Sequence, residues 1–121
     1  MIEAGAVGVN FEDGVVGGEG MHGMDAQAAR LRAIRAVVPP WAFVNARTDL
    51  FLQAEADRHG ALVDEAIARG QAYAEAGADG FFVPGLTDLA AVARIADAVA
   101  LPLNVMVLRG LSLADVASAC L

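Results

Sequence analysis

The sequence predicts an α/β domain built on parallel strands, and three observations carry that reading. Apolar runs of strand length alternate four times with helical periodicities. The strand runs are continuously apolar, as burial on both faces requires, and not alternating. One hexapeptide frame, Glu-Ala-Gly-Ala-x-Gly, occurs at 3–8 and again at 75–80, each time where a helical pattern gives way to a strand. Successive strand-then-helix units imply parallel strands with right-handed crossovers. Two architectures meet these conditions, a doubly wound open sheet and about half of a (β/α)8 barrel. A whole barrel needs roughly 250 residues, and this chain has 121.

The repeated frame is a junction. Gly5 and Gly77 fall at the C′ position of a helix, where a residue without a Cβ can turn left-handed. Gly8 and Gly80 are expected to let the strand start close against the preceding helix. The first strand is then 6–11 and the first helix 25–38, with Asp25 as its expected N-cap and Ala28, Leu31, Ile34 and Val38 as its stripe. Pro39 and Pro40 stop that helix ahead of a strand at 41–46. Residues 60–76 form the clearest helix, with Leu62, Ala66, Tyr73 and Ala76 on one face and Arg69 expected away from it. A strand at 80–84 and a helix opened by Thr87-Asp88 and running to about Val99 follow. Residues 102–107 form the fourth strand, and Ser112 with Asp115 makes a capping box for a last short helix. The glycine-rich segment 13–25 suits neither element and reads as a mobile loop over a site.

Composition removes several function classes. The eight basic residues are all arginine, which excludes a lysine Schiff base and a lysine-bearing phosphate loop. With a net charge of -7 and scattered arginines, the chain has no nucleic-acid footprint. No uninterrupted apolar run of membrane-spanning length occurs. The opening residues lack a basic region followed by an apolar core, so neither a membrane partner nor a secretory signal is expected. The lone Cys120 fits a cytoplasmic protein without disulfides. No strand is followed by GxGxxG, which argues against a dinucleotide site.

In parallel α/β folds ligands gather at the carboxyl ends of the strands. Here those ends carry Asn10, Glu12 and Asp13; Asn45, Arg47, Thr48 and Asp49; and Asn104. Adjacent Glu12 and Asp13 must point to opposite sides, so one is placed to face a cation or substrate while the other ties down a loop. Arg47 offers a planar fork that matches a carboxylate or phosphonate. Asn45 and Asn104 can hydrogen-bond substrate oxygens without adding charge. The alternative for the acids is structural: capping loop amides, or pairing with Arg47. His22 in the glycine-rich loop is either an acid or base or a solvated loop histidine.

The blocks "GAVGVNFEDG", "FVNARTD", "EAIARGQAYAEAGADGFFVPGL" and "LPLNVM", in this order, resemble the isocitrate lyase/phosphoenolpyruvate mutase superfamily, and most of all its phosphoenolpyruvate mutase-type members. The resemblance implies a (β/α)8 barrel of which this chain supplies strands four to seven with their helices, as one partial domain over 1–121. It implies Mg2+ and the making or breaking of C–C or P–C bonds beside a carbonyl, in small 2-oxo or 2-hydroxy acids or phosphonates, through an enolate-like species. It places Glu12 and Asp13 near the metal through water, Arg47 on the substrate's anionic group, and Asn104, with Asn45, near substrate. The lyases' loop with lysine, cysteine and histidine reads here as "GGEGMHGM", so isocitrate cleavage is not expected. Some lyases carry a glutamate where this chain has Gly85. The aspartates that ligate Mg2+ directly come from earlier strands in the family. The expectation is therefore a fragment that associates with itself or a complementary chain, a homo-oligomer, with little turnover alone.

Overall fold

The computed structural model describes residues 2–120. Four parallel strands, β1 (Gly8–Glu12), β2 (Phe43–Arg47), β3 (Gly80–Phe82) and β4 (Leu103–Asn104), lie side by side in the order β1-β2-β3-β4. Helices α1 (Met24–Val37), α2 (His59–Glu75) and α3 (Leu89–Ala98) form the crossovers, and α4 (Leu113–Cys120) follows β4. The strand order never reverses, so right-handed crossovers place every helix on the same face. That arrangement is the wall of a barrel and not a doubly wound sheet, which needs a reversal.

The core lies between the strands and the helices. Val44, Ala46, Phe81 and Val83 project into it from β2 and the β3 region. Leu31, Ala66, Tyr73, Val92 and Ile95 meet them from the helices. Gly70 on α2 permits this approach, since a Cβ there would lie 2.7 Å from Val99 and 2.9 Å from the Phe81 ring. Among the described residues no helix covers the opposite sheet face, and Phe43 on it is 44% exposed.

Both junction glycines have positive φ, Gly5 at 96° and Gly77 at 102°, as the repeat predicts. The second glycine of each frame works differently from expectation. A Cβ at Gly8 would meet the Phe43 carbonyl at 2.8 Å, and one at Gly80 would meet Asn45 Oδ1 at 2.7 Å. Both make room for the neighbouring strand, not for a helix.

Three other expectations change in detail. Gly23, not Asp25, is the N-cap of α1, and Asp25 sits in the first turn where its charge suits the helix dipole. The fourth strand shrinks from 102–107 to Leu103–Asn104, because its neighbour β3 is short and pairs with it only at Phe81 and Phe82. The glycine-rich segment folds back on itself. Gly14 and Met21 form an antiparallel bridge, Val15 N–H donates to Gly20 O at 3.1 Å, and Gln53 Nε2 donates to Gly20 O from outside. The caps at Asp88 and at Ser112 with Asp115 form as the residue types predict. No described helix is long and apolar enough to cross a membrane.

Candidate functional site

Strand alternation sorts the polar residues. Gly8, Asn10 and Glu12 of β1 share the uncovered face with Phe43, Asn45 and Arg47 of β2, Gly80 and Phe82 of β3, and Asn104 of β4. Register sets Glu12, Arg47, Phe82 and Asn104 in one row, and Asn10, Asn45 and Gly80 in the row below. Glu12, Arg47, Asn45 and Asn104, far apart in sequence, are thus collected on one surface.

An amide ladder runs from Asn104 in the upper row down to Asn45 and Asn10 in the lower. Asn104 Nδ2 donates to Asn45 Oδ1 at 3.1 Å, passing over side-chain-free Gly80, and Asn45 Nδ2 donates to Asn10 Oδ1 at 2.8 Å. The ladder therefore has a direction: among the described residues, the Asn10 amide N–H groups at one end and the Asn104 side-chain carbonyl at the other have no partner. It floors an open cleft of about 430 Å³ whose apolar wall is Val7 and Phe43.

The upper row is charged. Arg47 Nε donates to Asp49 Oδ1 at 2.7 Å, and its Nη1 lies 3.3 Å from Glu12 Oε2. Asp49 is nearly enclosed, and Gly14 passes so close to its Oδ2 that a Cβ would collide with it.

Asp13, next to Glu12 in the chain, belongs to the other face. It is fully buried. Its Oδ1 accepts the Asp49 N–H at 2.9 Å, while its Oδ2 accepts from Tyr73 Oη at 2.7 Å and Arg69 Nη1 at 3.0 Å. Arg69 Nη1 also donates to the His22 carbonyl at 3.0 Å, and Arg69 Nε donates to Glu65 at 3.1 Å. Burial first, and then the Asp13 charge, push the Tyr73 phenol well above its ordinary range. Burial opposes the Arg69 charge, but its Tyr73, Glu65 and Asp13 partners outweigh that and raise its pKa. Both oxygens of Asp13 are taken by protein donors, so the expectation that it shares a cation's hydration shell with Glu12 gives way to a positioning part. His22 is held by its backbone, whose N–H donates to the Asp13 carbonyl at 2.8 Å.

The sequence reading misplaced Arg69, expected away from the apolar face, and placed Tyr73 on that face without its polar role. Leu62, Ala66, Arg69, Tyr73 and Ala76 recur at spacings of four and three, so the guanidinium sits on the apolar stripe itself. A charge in that register is the available signal of a buried partner. Gln27, also fully buried, donates from Nε2 to the Glu12 carbonyl at 3.0 Å and fixes the end of β1 from the helix side.

Comparison with known proteins bears on the fold and the family. The profile of the phosphoenolpyruvate phosphomutase family matches residues 1–120. A 2-methylisocitrate lyase of Escherichia coli (strain K12) is 37% identical over 111 residues, covering 85% of this chain and 35% of the lyase. An uncharacterized protein of Mycobacterium tuberculosis is 35% identical over 109 residues, covering 89% of this chain and 39% of its own length. The solved structure of a candidate phosphonomutase of Burkholderia cenocepacia J2315 superposes with a TM-score of 0.87 at 42% identity, over 98% of this chain and 49% of that one. A phosphonopyruvate hydrolase, at 23% identity, shares the fold with a TM-score of 0.79, over 98% of this chain and 42% of that one. The chain thus spans less than half the length of these relatives.

Proposed function

The chain belongs to the phosphoenolpyruvate phosphomutase family, and from that premise we propose that it supplies the anion-binding side of a site for small 2-oxo or 2-hydroxy acids or phosphonates. The reaction class is lyase or phosphonomutase chemistry, in which a C–C or P–C bond beside a carbonyl is made or broken through an enolate-like species. Arg47 binds the substrate's carboxylate or phosphonate with its free N–H groups. Asn104 and Asn45 receive a neighbouring substrate oxygen. Glu12 faces the same space. The observation that carries the reading is the Arg47–Glu12 pair, 3.3 Å apart on the uncovered face, directly above the amide ladder.

Mg2+ is the proposed cofactor. Among the described residues no three His, Cys, Asp or Glu side chains surround a cation position. The residues present therefore fit a contact through water from half-exposed Glu12, which suits an ion that keeps several waters. They do not fit a complete set of direct ligands. When bound, the ion would offset charge developing on an enolate oxygen.

The test is binding of phosphonopyruvate and oxaloacetate, followed by NMR in the presence of Mg2+. The native chain is expected to bind at least one of them and Arg47→Met neither. Equal binding by both proteins, or none by the native chain, overturns the proposal.

A second reading is favoured by the uncovered face and by the unpaired outer edges of β1 and β4. In it the chain works through association with another copy or a complementary chain. Light scattering over a concentration series decides: a monomer throughout removes self-association.

A further inference from the structure

Resting on the second reading, association with another copy, we propose that two copies of this chain close one parallel barrel. β4 of each copy lies beside β1 of the other, and the two amide ladders join across these seams into a ring.

The edges fit such a closure. Among the described residues the parallel strands run β1-β2-β3-β4, with an unpaired outer edge on β1 and another on β4. Edge strands are commonly blunted by charge or proline, yet Gly8-Val9-Asn10-Phe11 carries neither ahead of Glu12. A two-fold axis along the barrel sets β4 of one copy parallel to β1 of the other at two identical seams, so assembly stops at two copies. Pairing β1 with β1, or β4 with β4, would leave two edges open.

The ladder ends complement each other. Asn10 Nδ2 at the β1 edge has no acceptor among the described residues, and Asn104 Oδ1 at the β4 edge has no donor. Donation from the first to the second across a seam continues the direction set within each copy, from Asn104 to Asn45 and from Asn45 to Asn10. A closed run of like-oriented amides strengthens each of its members. The stagger agrees as well. Asn10 and Asn45 are level with Gly80, whereas Asn104 is level with Phe82, two residues further along β3. One more step of that size at each seam brings the whole circuit to about eight residues, the shear of a (β/α)8 barrel. That step sets the other copy's Gly8 opposite Asn104. Lacking a side chain, it clears the path to Asn10, as Gly80 clears the path to Asn45.

Charge and area permit it. Glu12 and Arg47, the charged strand residues of the uncovered face, pair within each copy, so closure brings no lone charge between the strands. The chain exposes 6748 Å², where a compact monomer of its mass exposes about 6,100 Å². The surplus of roughly 600 Å² approaches the roughly 800 Å² that each partner of a standard interface covers.

The experiment combines sedimentation over a concentration series with isotope-filtered NMR on a mixture of labelled and unlabelled chain. A dimer is expected, with contacts between chains joining Asn10 to Asn104. Asn10→Asp keeps the oxygen that Asn45 uses and removes the outward N–H donors; Asn10→Leu removes them without adding charge. Each is expected to retain its circular dichroism and to raise the dimer dissociation constant about tenfold or more, since each seam loses a hydrogen bond. Weakening by N10D alone would report charge and remove the ring, as would no weakening by either. A dimer that joins β1 to β1, β4 to β4 or helix to helix, or an assembly of more than two copies, overturns the barrel and leaves self-association standing. A monomer throughout removes both, and the Arg47 subsite is then judged by its own binding test.

Discussion

The carboxylate of Asp13 accepts the backbone N–H of Asp49 at 2.9 Å, across 36 positions of chain. Through that bond the buried trio of Asp13, Arg69 and Tyr73 sets the loop after β2, and Asp49 in turn sets Arg47 by its 2.7 Å hydrogen bond. The guanidinium on the open face is therefore aimed from the helix side of the sheet. The proposed site on one face and its support on the other are connected by two adjacent residues at the end of β1, Glu12 and Asp13, that alternate across the sheet.

Asp13→Ala should be strongly destabilising. It leaves the Arg69 guanidinium, only 7% exposed, without its buried partner. Loss of one member of such a pair costs about 3–5 kcal/mol. Urea unfolding of the native chain, D13A, R69M and the double variant measures it. A double variant more stable than the sum of the single losses is the expected sign of direct coupling. Simple additivity would contradict the pairing.

Tyr73→Phe should cost less, about 1.5–3 kcal/mol for one hydrogen bond to a charged acceptor. Its pH dependence has a definite sign. Burial and then Asp13 raise the folded-state pKa of this acid. The stability it contributes is intact below the ordinary tyrosine range, about 10, and is lost as pH rises above it. Tyr73 is the chain's one tyrosine, so the near-ultraviolet absorbance increase on tyrosinate formation reports it alone, the Trp41 indole having no titration there. Ionisation should accompany alkaline unfolding, and free titration near the ordinary value in a folded chain would refute the buried phenol.

Gly80→Ala tests the ladder by steric means. The added Cβ would lie 2.7 Å from Asn45 Oδ1 and 2.9 Å from the Phe43 ring. Overpacking of this kind costs about 1–3 kcal/mol. Amide chemical shifts of Asn45 and Asn104 should move together, since one donates to the other. Movement of neither would place the ladder elsewhere.

Asn45→Leu separates binding from folding. Asn45 lies on the uncovered face, so losing its two amide contacts should change stability by about 1 kcal/mol or less. Asn104 would lose the acceptor that orients it, and 2-oxo acid affinity should fall several-fold by NMR titration. Unchanged affinity would remove Asn45 from the proposed site.

The order of strands and helices was legible from the letters because it depends on local rules. Gly5 and Gly77 end helices whatever surrounds them, Asp88 caps α3 through its own neighbours, and apolar runs declare buried strands. The positions of Glu12, Arg47, Asn45 and Asn104 at strand ends were legible for the same reason. Tertiary structure alone decided which face each side chain occupies and what it meets there. Register across four strands brought Arg47 beside Glu12 and Asn104 over Gly80 to Asn45, and it sent Asp13 inward to Arg69 and Tyr73. Long-range pairing and burial set those meetings, and neither is encoded in the spacing of any single segment.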